Sequence, residues 1–189
     1  MEHIAAPTMT VVVREATALT ADFDAVVGNF RPAVFRLALA WLRDRDAAET
    51  VAQDCFIRAW NSREVFRGEC GVKTWLMQIA VNLIRDHIRN RKLQFWRRAK
   101  LEPVDRMSQV PDAGQQSPES ALLRREQVSV LWAAVDRLPE KQRCVFLLRF
   151  VEDMDILEIA MATGMKEGTV KTHLFRSLGT VRKRMESGI

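Results

Sequence analysis

Apolar residues recur at three- and four-residue spacing along nearly all of this 189-residue chain, and period-two alternation hardly appears. Such spacing stacks apolar side chains on one stripe of a helix, so the chain is expected to be all-α. One stretch breaks the pattern. Around residues 99–120 the sequence turns to Pro, Ser, Gln and Asp (EPVDRMSQVPDAGQQSPES), the composition of a flexible connector. The expected organisation is therefore two small helical domains: an N-terminal extension over 1–20, a first domain over 21–98, a linker over 99–117 and a second domain over 118–189. A linker of this kind lets two modules reach separate places on one partner.

With 48% apolar residues the chain can build at least one packed core. The net charge of +5 and a pI near 9.5 favour an anionic partner without establishing one. Because residues 99–120 hold two basic and four acidic residues, the basic excess belongs to the flanking domains. Cys55, Cys70 and Cys144 lie far apart, with no CxxC pair and no histidine at ligand spacing, so they read as small buried hydrophobes and no metal or other cofactor is expected. An odd cysteine count without a disulfide framework fits a reducing cytoplasm. The segment MEHIAAPTMTVVVREATALTA lacks the apolar core of a signal peptide, and no apolar run is long enough to span a bilayer, so a cytoplasmic protein without membrane insertion is expected.

Helix starts are well marked. Asp46-Ala-Ala-Glu49 and Asp155-Ile-Leu-Glu158 have the spacing of capping boxes, Ser117-Pro118-Glu119 offers a cap followed by a first-turn proline and acid, and Leu138-Pro139-Glu140 signals another start. The expected helices are 21–42, 47–61, 73–97, 118–137, 139–151, 156–163 and 168–186.

Near the C-terminus, DILEIAMATGMKEGTVKTHLFRS has the layout of a helix-turn-helix. Small Ala160 allows a close crossing, Gly164 supplies the turn's backbone freedom, and Ile159, Met165, Val170 and Leu174 point inward. The outward face of the second helix then carries Thr169, Lys171, Thr172, His173 and Arg176, which suit phosphates and base edges in a major groove.

In the first domain Gln78, Asn82, Arg85, Arg89 and Lys92 follow one another at four- and three-residue steps, a polar-to-basic stripe opposite the apolar face of Trp75, Leu76, Ile79, Ala80, Leu83, Ile84 and Ile88. A solvated charged face is the ordinary meaning of such a stripe. The preceding segment, from Phe66-Arg67-Gly68 to Lys73-Thr74-Trp75, changes its weight, because aromatics beside cations suit unpaired bases.

WLRDRDAAETVAQDCFIRAW, then FRG and KTWLMQIAVNLIRDHIRNR, resemble the second conserved region of extracytoplasmic-function sigma factors. SPESALLRREQ, LPEKQRCVFLLRFVEDMDILEIA and GTVKTHLFR resemble the fourth. The resemblance runs from about residue 22 to 185, and it implies a sigma factor whose partners are core RNA polymerase and promoter DNA, with an anti-sigma factor as a further partner to which no residues are assigned. It makes Asp46, Glu49, Gln53, Asp54 and Arg58 candidates for contact with the polymerase clamp. Phe66, Arg67, Gly68, Lys73, Thr74 and Trp75 would capture a base flipped from the minus-ten element, with Gln78, Asn82, Arg85, Arg89 and Lys92 along the strand. Lys166, Thr169, Lys171, Thr172, His173 and Arg176 would read the minus-thirty-five element. The chain departs from the family where Lys166 replaces a capping serine, a cap worth ~1 kcal/mol, and also at His173, Leu178 and Gly179.

GTVKTHL is similar as well to the recognition helix of response-regulator activators, but the receiver domain of that class needs strands that the first domain lacks. No glycine-rich phosphate loop, metal-ligand cluster or nucleophile–base pair is present, so no catalytic residue and no enzymatic activity are expected.

Overall fold

The computed structural model describes residues 22–98 and 128–187. The expected N-terminal extension, the linker and the cap at Ser117-Pro118 lie outside the described residues. Within them every regular element is helical: α1 (Phe23–Leu42), α2 (Arg45–Ser62), a short 3-10 turn at Arg63–Val65, α3 (Val72–Arg98), α4 with its described part at 128–136, α5 (Glu140–Phe150), α6 (Ile156–Thr163) and α7 (Glu167–Glu186).

Local chemistry sets most of the boundaries. Asp22 caps α1 by accepting from the Ala25 N–H at 3.0 Å. Arg43 ends α1 in the left-handed region at φ 55°, which turns the chain so sharply that α2 begins at once. Its cap is Asp44, accepting from Ala47 N at 3.0 Å. The expected box at Asp46 is thus displaced by two residues, and Glu49, which would have closed it, instead pairs with Arg31 of α1. The second expected box is present: Asp155 accepts from Glu158 N and Glu158 from Asp155 N, both at 2.8 Å. Gly164 closes α6 at φ 69°, a conformation in which a side chain would be strained.

α1, α2 and α3 pack around Leu37, Ala48, Ala52, Leu76, Met77 and Ile84. Phe23 sits edge-on to Phe56 and Trp60, with ring centroids 6.4 and 5.1 Å away. The C-terminal helices pack around Val135, Leu147, Leu148, Met154, Ile159 and Val170. Burying each large aliphatic side chain contributes roughly 1.5–3 kcal/mol. The two groups do not form separate cores: they belong to one continuous apolar cluster, because α6 packs on α3 and α5 on α1.

Of the three cysteines, Cys55 and Cys144 are buried as expected, whereas Cys70 is only half-buried. Burial pushes the Cys55 and Cys144 thiols up to about 12. Iodoacetamide at pH 8 should therefore modify Cys70 in the native chain and leave the other two intact until denaturant is added, as read by mass spectrometry. Labelling of Cys55 at the rate of Cys70 would contradict this packing.

Candidate polymerase and nucleic-acid interfaces

Three surfaces collect the residues singled out from the sequence. On α2, Asp46, Gln53, Asp54 and Arg58 are all exposed to solvent, and the seven- and four-residue steps from Asp46 to Gln53 and from Asp54 to Arg58 keep them on one broad side of the helix. Glu49 is half-buried against Arg31 and stands partly apart from them. Periodicity alone missed Ile57, which lies among these polar groups with 59% of its surface exposed. A large aliphatic exposed beside charged groups provides apolar area that a partner could cover.

The loop between the 3-10 turn and α3 forms the second surface. Gly68 adopts φ 67°, which lets the chain reverse between Phe66 and the start of α3. The Phe66 and Trp75 rings lie 4.9 Å apart and tilted by 38°. Together with Val65, Arg67, Glu69, Cys70 and Gln78 they line a pocket of about 320 Å³ that is open to solvent. Glu69 and Cys70 belong to the loop read from the sequence but were not singled out within it, and Val65 lies just outside that loop, where nothing in its spacing marks it. Trp60 is not part of the pocket: its ring is engaged by Phe23 and by the Arg63 guanidinium, 3.6 Å from the centroid.

Along α3, Gln78, Asn82 and Arg89 are exposed on one face, and Arg89 is held by Asp86 at 2.8 Å. The side chain of Lys92 lies outside the described residues. The remaining members of this set behave differently. Thr74 is buried, 3.5 Å from Glu158 of α6, and Lys73 donates to the Glu152 carbonyl. Arg85 turns toward α5, with Glu140 at 3.7 Å and the Cys144 sulfur at 3.9 Å. Three of the proposed strand contacts are thus occupied by the C-terminal half of the chain.

The third surface is α7. Val170 is fully buried and Met165 and Leu174 pack against the core, which turns Thr169, Lys171, Thr172 and Arg176 to solvent. Lys171 lies 3.9 Å from Glu167, one turn earlier, a pair exposed enough to exchange for a phosphate. His173 is half-buried and its Nδ1 has no partner, so it lies at the edge of this face. Lys166 is the N-cap of α7 and supplies no side-chain cap, leaving free N–H groups and a cation at the positive end of the helix. That end of the helix and its lysine can both bind an anion.

Two family models match the chain, one in each half. Residues 26–94 match the family model for Sigma-70 region 2, and residues 129–181 match that for Sigma-70 region 4. The chain is 30% identical to the ECF RNA polymerase sigma factor SigW of Bacillus subtilis, over 86% of this chain and 88% of that protein. It is 31% identical to SigX of the same organism, over 87% and 84%. Among solved structures, the sigma factor RpoE in complex with the anti-sigma factor NepR from Bartonella quintana has the same fold, with a TM-score of 0.70 at 19% identity over 87% of this chain and 97% of that one. CnrH in complex with the cytosolic domain of CnrY follows at 0.65 and 16%, over 95% and 97%. With both halves matched in order and relatives aligned across most of its length, this chain belongs to the extracytoplasmic-function family of RNA polymerase sigma factors.

Proposed function

We propose that this chain divides its work among the three surfaces: the solvent face of α2 docks on the polymerase clamp, the Phe66–Trp75 pocket and the α3 stripe take the minus-ten strand, and α7 reads the minus-thirty-five element. As a family member the chain is a non-enzymatic initiation factor that binds core RNA polymerase and directs promoter recognition. The observation that carries the residue assignment is the pocket, where two rings and a cation lie beside the exposed polar side chains of α3. Extruding a base costs a few kcal/mol. Stacking returns about 1–3 kcal/mol per base, so capture in this pocket can offset melting without ATP.

The proposed division is a region-2-like domain over 21–98 and a region-4-like domain over 118–189, joined by the linker 99–117. The response-regulator alternative loses its footing, because the first half matches Sigma-70 region 2 in place of a receiver. None of the helices described is long and apolar enough to cross a membrane, and a cytoplasmic location with promoter-bound polymerase is proposed. Of the solved structures described above, RpoE is bound to the anti-sigma factor NepR and CnrH to the cytosolic domain of CnrY. An anti-sigma factor is accordingly proposed as a further partner of this chain, without residues.

In vitro transcription tests the proposal. Core polymerase with the purified chain should yield transcripts from discrete start sites, whereas the chain alone should bind duplex DNA weakly, because each module offers only a small basic surface. Tight sequence-specific binding by the isolated chain would count against it.

A further inference from the structure

We infer that the C-terminal half masks part of the single-strand face of α3, at Lys73, Thr74 and Arg85, held shut by a latch in which Glu152, in the α5–α6 turn, grips Arg36 of α1 and Lys73 at the start of α3. The inference rests on the assignment of that face to the minus-ten strand. Glu152 has a fully buried side chain, and both its carboxylate oxygens are taken by one guanidinium from the other half of the molecule, Nε to Oε1 at 3.0 Å and Nη2 to Oε2 at 2.9 Å. Burial pushes its carboxyl above the usual carboxylate range, while Arg36 and Lys73 pull it back. Its backbone carbonyl accepts from Lys73 Nζ. The next residue, Asp153, lies in the left-handed region at φ 52°, so the turn that presents Glu152 is itself constrained.

An ion pair that buries its carboxylate is a poor choice for stability alone, since the desolvation of that carboxylate offsets much of the attraction. It suits a contact that has to open, because carboxylate and guanidinium are both hydrated once the halves part. A second polar seam lies along the same boundary. Arg43 stacks on Trp132 at 5.0 Å and approaches Asp136 at 3.7 Å, while Arg143 bridges Asp136 and the Ala40 carbonyl.

Coverage is selective. Lys73, Thr74 and Arg85 are engaged by the C-terminal half, whereas the outward residues of α7 and the polar face of α2 stay open. The closed chain can therefore still meet polymerase through α2, but it cannot offer the whole strand face until Glu152 lets go. Its apparent strand affinity is lowered by the fraction of molecules that is open.

Arg36→Glu in the full chain tests the latch, because Arg36 is half-exposed and lies outside the three proposed interfaces. The probe is a fluorescein-labelled single-stranded DNA 15-mer, read by anisotropy, with the radius of gyration from small-angle scattering measured in parallel and circular dichroism to confirm the helices. The variant should expand and should bind the oligonucleotide at least about five-fold more tightly, although the added negative charge by itself would weaken binding to DNA. Adding Glu152→Arg, which restores the pair with its charges exchanged, should return both values toward wild type. An unchanged radius overturns the latch, and expansion without a gain in affinity overturns the mask. Oligonucleotide binding that ignores Arg89→Ala in both backgrounds would instead overturn the strand-face assignment.

Discussion

Asp54→Arg should lower the affinity of this chain for core RNA polymerase by more than ten-fold while leaving its thermal unfolding unchanged. Asp54 lies on the exposed face of α2, between Gln53 and the apolar Ile57, so reversing its charge alters the presented surface and not the core. Placing like charges together across an interface costs several kcal/mol, and each 1.4 kcal/mol is about a factor of ten. The loss should appear mainly in the association rate and shrink as salt is raised. Ile57→Ala, tested beside it, removes apolar area without changing charge and should raise the dissociation rate instead. Competitive binding against a labelled reference sigma factor measures both. If neither substitution changes the affinity, α2 is not the docking helix.

Helix positions were legible in the sequence because they depend on local periodicity and caps. α6 begins at the capping box read from Asp155 and Glu158, and α5 begins beside Pro139, as its residues indicate. The box at Asp46 was misplaced for a long-range reason. A left-handed Arg43 let α2 start earlier with Asp44 as its cap, and Glu49 found Arg31, eighteen residues away, more accessible than its own helix terminus. The missing cap at Lys166 could be read, since a lysine has no acceptor to offer the free N–H groups.

The charged seam between the halves was not legible. Arg36, Arg43, Asp136, Arg143 and Glu152 each sit in a sequence context that reads as solvated surface, and only the close approach of α5 to α1 and of α6 to α3 gives them partners. For the same reason the stripe on α3 was only partly right. Spacing alone predicts that Gln78, Asn82, Arg85 and Arg89 share one face, but it cannot show that Arg85 has turned to Glu140 while Asn82 and Arg89 remain open. Burial lowers the basicity of Arg143, with Asp136 working against the shift. That desolvation belongs to the closed packing and has no local signature.

This difference between Arg85 and its neighbours decides how the two DNA-binding tasks are best separated. Replacing Asn82 and Arg89 with alanine should slow promoter opening while leaving attachment to the minus-thirty-five element largely intact, and Lys171→Ala with Arg176→Ala should do the reverse. Arg85 is left in place because its removal would also disturb the contact with α5. Each lost phosphate contact should reduce the salt slope of binding by about one unit, and each lost base contact should cost about 1–3 kcal/mol, or roughly 5- to 150-fold, and relax preference at one position. Lys171 and Arg176 lie on the exposed face of α7, and the C-terminal helix that packs on α3 is α6, so the effects of the two double substitutions should be nearly additive. The assay is promoter binding and permanganate-detected melting with polymerase present, on duplex and on pre-melted templates. A pre-melted bubble should partly restore the Asn82 and Arg89 variant, because nucleation of melting is the step it lacks, and should not restore the Lys171 and Arg176 variant, whose upstream attachment is missing on either template. Identical failure of both variants on both templates would show that α3 and α7 do not divide the promoter in this way.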